Sequence, residues 1–149
     1  MLPLVEILVS IGIFAVAVVL TLQLFLLSKF LGDKTSDVAK AIFEAQGVAE
    51  NFKAMRTGAE IEDYFRDGLN GGTVYYDGGW EKTDSAENTA YSLKVTKEMD
   101  GYGPGTLYRF KIEICRTEPY PFIDDRKTEK DPDYIPVLVS FDAGKFVAP

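Results

Sequence analysis

The sequence has no histidine among its 149 residues, and its one cysteine is Cys115. Histidine is the commonest general base and metal ligand at neutral pH, so its absence removes serine and cysteine triads of the usual kind. A single cysteine cannot form an intramolecular disulfide, and its alternating β pattern favours a buried, inert thiol. The sequence also offers no nucleophile–base pair, phosphate loop or metal cluster. We therefore expect a non-enzymatic protein without a cofactor or metal.

Positive charge is scarce and dispersed. The 16 basic residues are outnumbered by 23 acidic ones, which gives a net charge of −7. No arginine-rich stripe could follow a phosphate backbone, so direct binding to nucleic acid is not expected.

Charge is missing altogether between Ile7 and Leu27, where the sequence reads ILVSIGIFAVAVVLTLQLFLL. As a helix, these 21 residues would be about 31 Å long, the thickness of a bilayer's hydrocarbon core. No basic flank precedes the run in this sequence and no A-x-A-like cleavage site follows it. We predict a retained membrane-spanning helix. The alternative is a helix buried in the core of the protein, but 21 apolar residues is long for such a helix.

The helix is predicted to continue past the apolar run, from about Pro3 to Met55, over a length of about 80 Å. Apolar residues recur at steps of three, four and seven, which draws one stripe along a helix. The predicted stripe is Leu31, Val38, Ile42, Ala45, Ala49, Phe52 and Met55, and the other faces hold Asp33, Lys34, Asp37, Lys40, Glu44, Gln46 and Glu50. This second half should pack on the rest of the chain.

The C-terminal part shows strand patterns separated by turn signals. A short helical turn over Ala59–Phe65 is followed by predicted strands at Thr73–Tyr76, Trp80–Thr83, Ala90–Thr96, Thr106–Arg116 and Ile135–Phe141. We predict an α+β fold in which the long N-terminal helix, a transmembrane half plus an amphipathic half, packs on a C-terminal antiparallel β-meander of four or five strands. The predicted units are residues 1–28, the transmembrane and assembly half of the helix, and residues 29–149, a globular domain.

One loop, Thr117–Tyr134, is long for so small a domain and is rich in proline, aspartate and lysine. A solvated connection is the preferred interpretation, and a surface for a partner or ligand is the alternative. The residues for such a contact would be Asp124, Asp125, Asp131 and Asp133. Their spacing matches no calcium loop with fixed ligand positions.

Glu6 stands immediately before the apolar run, in the segment LPLVEILVSIGIF that begins at Leu2. This segment resembles the N-terminal methylation motif of type IV prepilin-like proteins, which include pilins, minor pilins and pseudopilins. The resemblance covers about twenty residues, and the remainder agrees in architecture only. Read from the residues alone, Glu6 could equally be an interfacial carboxylate that favours the positive end of the helix dipole.

The resemblance implies a structural subunit of a pilus-like filament, a minor pilin or pseudopilin. A prepilin peptidase would cut any basic leader before Leu2, where Met1 replaces the family's glycine. Glu6 would pair with a neighbouring subunit's N-terminus, and Gly12 would allow close helix approach. The implied partners are other pilin-like subunits, an inner-membrane assembly platform and the lipid bilayer. The N-terminus would be cytoplasmic, and the C-terminal domain extracytoplasmic or in a bacterial cell-surface filament.

A single-pass membrane protein whose exported β domain senses or binds a solute is the alternative. The lysines after the span, Lys29, Lys34 and Lys40, would by the positive-inside rule keep the β domain in the cytoplasm. The family resemblance favours the opposite orientation, which we adopt as the expectation.

Overall fold

A computed structural model describes residues 2–84, 87 and 89–148, apart from the side chains of Leu2 and Tyr102. One helix, α1 (Leu2–Ala54), occupies 53 residues. Pro3 lies in its first turn, where a missing N–H breaks no helical hydrogen bond, and no proline interrupts the rest. The chain then turns at Thr57, whose side-chain oxygen accepts a hydrogen bond from the N–H of Glu60 at 3.3 Å. That cap begins a second helix, α2 (Gly58–Asp63).

A π-helical turn at Tyr64–Gly68 leads into five strands, and a third helix, α3 (Asp125–Lys130), precedes the last of them. The strands are β1 (Thr73–Tyr76), β2 (Lys82–Thr83), β3 (Tyr91–Tyr102), β4 (Gly105–Arg116) and β5 (Val137–Val147). They form one antiparallel sheet in the order β2-β1-β3-β4-β5. The predicted α+β architecture is confirmed.

The strands β3 and β4 form a long hairpin that pairs Tyr91 with Arg116 at one end and Tyr102 with Gly105 at the other. Gly103 makes the tight turn with a φ of 59°, a conformation that costs glycine little. The strand predicted at Ala90–Thr96 is therefore too short, because alternation in the sequence fades before the pairing does. Strand β5 likewise runs beyond the predicted Phe141, and its register shifts between Ile114 and Cys115 of β4.

The core lies between the second half of α1 and the inner face of the sheet. Phe52 is 1% exposed, and its ring stacks on Phe110 with centroids 3.8 Å apart and planes 15° from parallel. Ala41 and Ala45 are fully buried, and their small side chains let the helix lie close to the sheet. The sheet contributes alternate residues of β3 and β4: Tyr91, Leu93, Val95, Tyr108, Phe110, Ile112 and Ile114.

The predicted helix stripe was only partly correct. Ala45, Ala49 and Phe52 are buried, but Leu31 and Ile42 remain 48% and 41% exposed. Their places on the packed face are taken by Ala41 and Val48, together with polar residues that were predicted to face away: Lys34, Asp37 and Glu44. Periodicity failed here because alanine repeats on several faces, and because polar side chains in this helix find partners on the domain.

Replacing Phe52 by aspartate in a fragment of residues 29–149 should lower the free energy of unfolding by several kcal/mol, because the change would bury a charge against Phe110. Lys40→Asp is the control, since Lys40 is exposed on the same helix. Thermal unfolding followed by circular dichroism measures both. Equal melting temperatures would contradict the packing, as would a wild-type fragment that shows only disorder.

Candidate functional site

The first half of α1 makes no contact that buries it. Every described side chain from Pro3 to Lys29 is exposed, and an 18-residue window there has a mean hydropathy of 2.6. This helix is long and apolar enough to cross a membrane, and its position near the N-terminus is compatible with membrane anchoring. Packing against the domain begins at Phe30, which is half-buried.

The residues predicted for assembly all lie on this exposed half-helix. Leu2 is the first residue of α1, and its side chain is outside the described part of the structure. Glu6 is exposed, and its carboxylate has no hydrogen-bond or ion-pair partner among residues 2–84, 87 and 89–148. A side-chain carbon added to Gly12 would meet nothing within 4 Å. Contacts within the chain therefore do not explain these residues, and their roles in assembly stay predictions.

The loop between β4 and β5, residues 117–136, folds back onto α1, and we call it the strap. Three of its side chains meet α1 at successive turns: Phe122 meets Phe30, Asp124 meets Lys34 and Tyr120 donates a short hydrogen bond to Asp37. The preferred interpretation of this segment, a solvated connection, holds for most of its residues, which are exposed. It fails at Tyr120 and Asp124, which are buried where the strap meets α1.

Asp124 is the most deeply buried charged residue among those described, with a side chain that is 0% exposed. One of its oxygens lies 3.6 Å from Lys34 Nζ and 3.9 Å from Lys127 Nζ, and the other accepts a hydrogen bond from the N–H of Tyr120 at 3.3 Å. Two cations thus offset the cost of burying the carboxylate. This burial corrects the prediction that Asp124 contacts a partner, because no surface of its side chain is available.

The other predicted contact residues, Asp125, Asp131 and Asp133, are exposed. Asp125 accepts a hydrogen bond from the N–H of Phe122 at 2.9 Å, and Asp131 accepts one from the N–H of Asp133 at 3.1 Å. No group of three or more acidic or cysteine side chains in the described part of the chain is arranged to hold a metal ion. A partner contact at these three residues stays a prediction.

Two tyrosines converge on Asp37 where the strap meets the sheet. Burial raises the pKa of Tyr91 to about 12, and hydrogen bonding to the Asp37 carboxylate adds to the shift. The same two causes raise the pKa of Tyr120. The Arg116 guanidinium covers the Tyr120 ring at 3.9 Å, and Trp80 stacks on Tyr91 with centroids 4.1 Å apart. The cluster therefore joins β3, the strap and α1.

Buried polar atoms without a hydrogen bond in the described structure gather around the same cluster. They are Trp80 Nε1, Arg116 Nη1 and Asp124 Oδ1. Trp80 also has a φ of 68°, which is uncommon for a bulky residue. These features cost free energy, which the contacts of Tyr120 with Asp37 and Arg116 and the ion pair of Asp124 with Lys34 offset.

A shallow cavity of about 430 Å³ lies on the sheet across β3, β4 and β5. Two charged residues of its lining are already paired: Arg109 lies 2.8 Å from Asp100, and Lys111 lies 2.8 Å from Glu113. These ion pairs partly neutralise the two cations that an anionic solute would meet in the cavity.

No protein-family model, characterised protein or solved structure significantly matches this chain. Its fold and exposed half-helix define an α+β protein that is compatible with a single-pass membrane anchor.

Asp124→Ala in the fragment of residues 29–149 should lower the free energy of unfolding by about 1–3 kcal/mol, because the N–H of Tyr120 and the ammonium of Lys34 lose a buried partner. Asp133→Ala is the matched control, since Asp133 is exposed on the same strap. Chemical denaturation measures both variants. If they are equally stable, the strap is not held by Asp124.

The fragment should lose stability as the pH rises from about 10 towards 12, because Tyr91 ionises near 10 when unfolded but near 12 when folded. A group whose pKa is higher in the folded than in the unfolded protein contributes stability that is complete below the unfolded pKa. This stability is lost as the pH rises through the folded pKa. Denaturation at several pH values should therefore show a smaller decline for Tyr91→Phe than for wild type. Parallel curves for the two proteins would exclude this contribution.

Proposed function

We propose that this protein is a non-enzymatic structural subunit of a type IV pilin-like filament, either a minor pilin or a pseudopilin. Other pilin-like subunits and an inner-membrane assembly platform are its proposed partners, and a prepilin peptidase acts if a leader precedes Leu2. The domain after the span is extracytoplasmic, and the N-terminus starts on the cytoplasmic side.

The main support is the exposed apolar half of α1. An uncovered apolar surface of this length is unstable in water, so it requires either lipid or the apolar surfaces of other chains. A subunit that is stored in a membrane and later packed into a helical bundle meets both conditions with the same residues. The motif around Glu6 also suggests which residue would pair with a neighbouring subunit in such a bundle.

The continuity of α1 supports a filament over a simple tether. A tethered domain needs only a flexible linker after its membrane anchor, whereas α1 passes from the apolar half into the core without a break. The second half is fixed by Phe52 and by the strap contacts at Lys34 and Asp37. The domain therefore has one orientation relative to the half-helix, as regular stacking of subunits requires.

Glu6 is the residue whose behaviour separates storage from assembly. In the membrane its carboxylate can lie at the headgroup level, but inside an apolar bundle it costs several kcal/mol unless it is paired. The N-terminal ammonium of a neighbouring subunit is the proposed partner. Gly12 lies almost two turns along the helix and would permit close approach of that neighbour.

The alternative is a single-pass protein with a solute-binding domain, for which the cavity on the sheet is one candidate site. It predicts a chain that stays monomeric in the membrane and is indifferent to changes at Glu6.

Glu6→Ala should leave the subunit stable and membrane-inserted but reduce its incorporation into surface fibres. Glu50→Ala, which changes an exposed glutamate in the second half of α1, should behave as wild type. The measurement is the ratio of protein in sheared fibres to protein in the membrane fraction of the native cell, at matched expression levels. An unchanged ratio for Glu6→Ala would exclude its assembly role. Absence of the wild-type protein from any fibre or export complex would favour the solute-binding alternative.

A further inference from the structure

The tip of the strap lies just beyond the end of the apolar run. Among the contacts of the strap with α1 described above, the one closest to the span joins Phe122 to Phe30, whose ring centroids are 5.7 Å apart. Phe30 follows Leu27, the last residue of the apolar run, by three positions, which is about 4.5 Å along a helix. The headgroup layer of a bilayer is about 5–7 Å thick on each side. Phe122 therefore lies at headgroup height if the run spans the hydrocarbon core.

Phe122 is held in an exposed position by its backbone. Its side chain is 53% exposed, and its φ of 63° is uncommon for a bulky residue. The Asp125 carboxylate accepts a hydrogen bond from the Phe122 N–H at 2.9 Å, which stabilises this conformation. An aromatic ring held at the surface in this way gains free energy if an apolar environment at the same height receives it.

We infer that Phe122 and Phe30 form a second membrane contact, in which the Phe122 ring enters the boundary between headgroups and acyl chains beside the point where α1 leaves the bilayer. This inference rests on the membrane insertion that the proposed function requires. The contact would couple the strap to the bilayer surface and would set the depth at which the globular domain sits. Aromatic side chains favour this depth because an apolar ring can lie just below the polar layer.

The contact depends on apolar burial and not on attraction to anionic lipid. The strap contains six acidic and three basic residues, so its net charge is negative. Lys34 and Lys127 are also engaged by Asp124. Insertion of Phe122 should therefore be at least as deep in neutral phosphatidylcholine vesicles as in vesicles that contain an anionic lipid.

Spin labels on single cysteines in the full chain test this inference, after Cys115→Ser removes the native thiol. The chain is reconstituted in phosphatidylcholine vesicles, and collision of the label with oxygen, which concentrates in the bilayer, is compared with collision with a water-soluble nickel complex. Phe122→Cys is the test variant. Phe43→Cys is the matched control, because Phe43 is another aromatic residue on the protein surface, 74% exposed and about 24 Å beyond Leu27 along α1. Ile13→Cys reports on the span itself.

The expected result is a strong preference for oxygen at position 13, an intermediate preference at position 122 and an aqueous signal at position 43. An aqueous signal at 122 with a buried label at 13 would overturn this inference alone. An aqueous signal at 13 would overturn membrane insertion and with it the proposed function. Spin–spin broadening at 122 that grows with the protein-to-lipid ratio would show a second copy of the chain covering Phe122, and would also overturn the lipid contact.

Discussion

The packing of the second half of α1 against β4 and β5 is the contact on which the rest of the structure depends. Phe52 stacks face to face on Phe110, and the fully buried Ala41 and Ala45 allow the helix to approach the sheet closely. Close packing of this kind fixes the direction of the helix axis. Because α1 is continuous, the same contact also fixes the direction in which the apolar half leaves the domain. The core therefore sets the direction of the exposed half-helix relative to the globular domain.

The sequence predicted this architecture because its two periodicities are long and clear. The apolar run and the stripe of apolar residues after it predicted one helix to Met55, and α1 ends at Ala54. Alternation along Thr106–Arg116 predicted β4 almost to the residue, since every second side chain enters the core. The details failed where composition is ambiguous. Alanine occurs on several faces of the helix, so pattern alone chose the exposed Ile42 over the buried Ala41.

The polar contacts of α1 could not have been predicted from the sequence. Asp37 and Tyr120 are 83 residues apart, and Glu44 accepts a hydrogen bond at 3.1 Å from Tyr76, which is 32 residues away. A polar residue on a helix looks the same in sequence whether it faces water or a buried phenol. Similarly, the strap has the composition of a solvated loop, and the burial of Asp124 follows only from the lysines placed around it. Such contacts depend on tertiary neighbours, so only the folded structure reveals them.

The polar side chains in the apolar half of α1 differ in whether the helix itself provides their hydrogen-bond partners. Ser10 and Thr21 donate hydrogen bonds of 2.8 Å to the carbonyl oxygens of Glu6 and Ala17, so their hydroxyls are satisfied inside the helix. The side chains of Glu6 and Gln23 have no such partner among the described residues. Lipid and a bundle of apolar helices offer the rest of the surface nearly the same environment, because acyl chains are as apolar as leucine. In the proposed filament, Glu6 and Gln23 are therefore the side chains that would need partners from another protein chain, whereas in a membrane Glu6 can reach the headgroup layer.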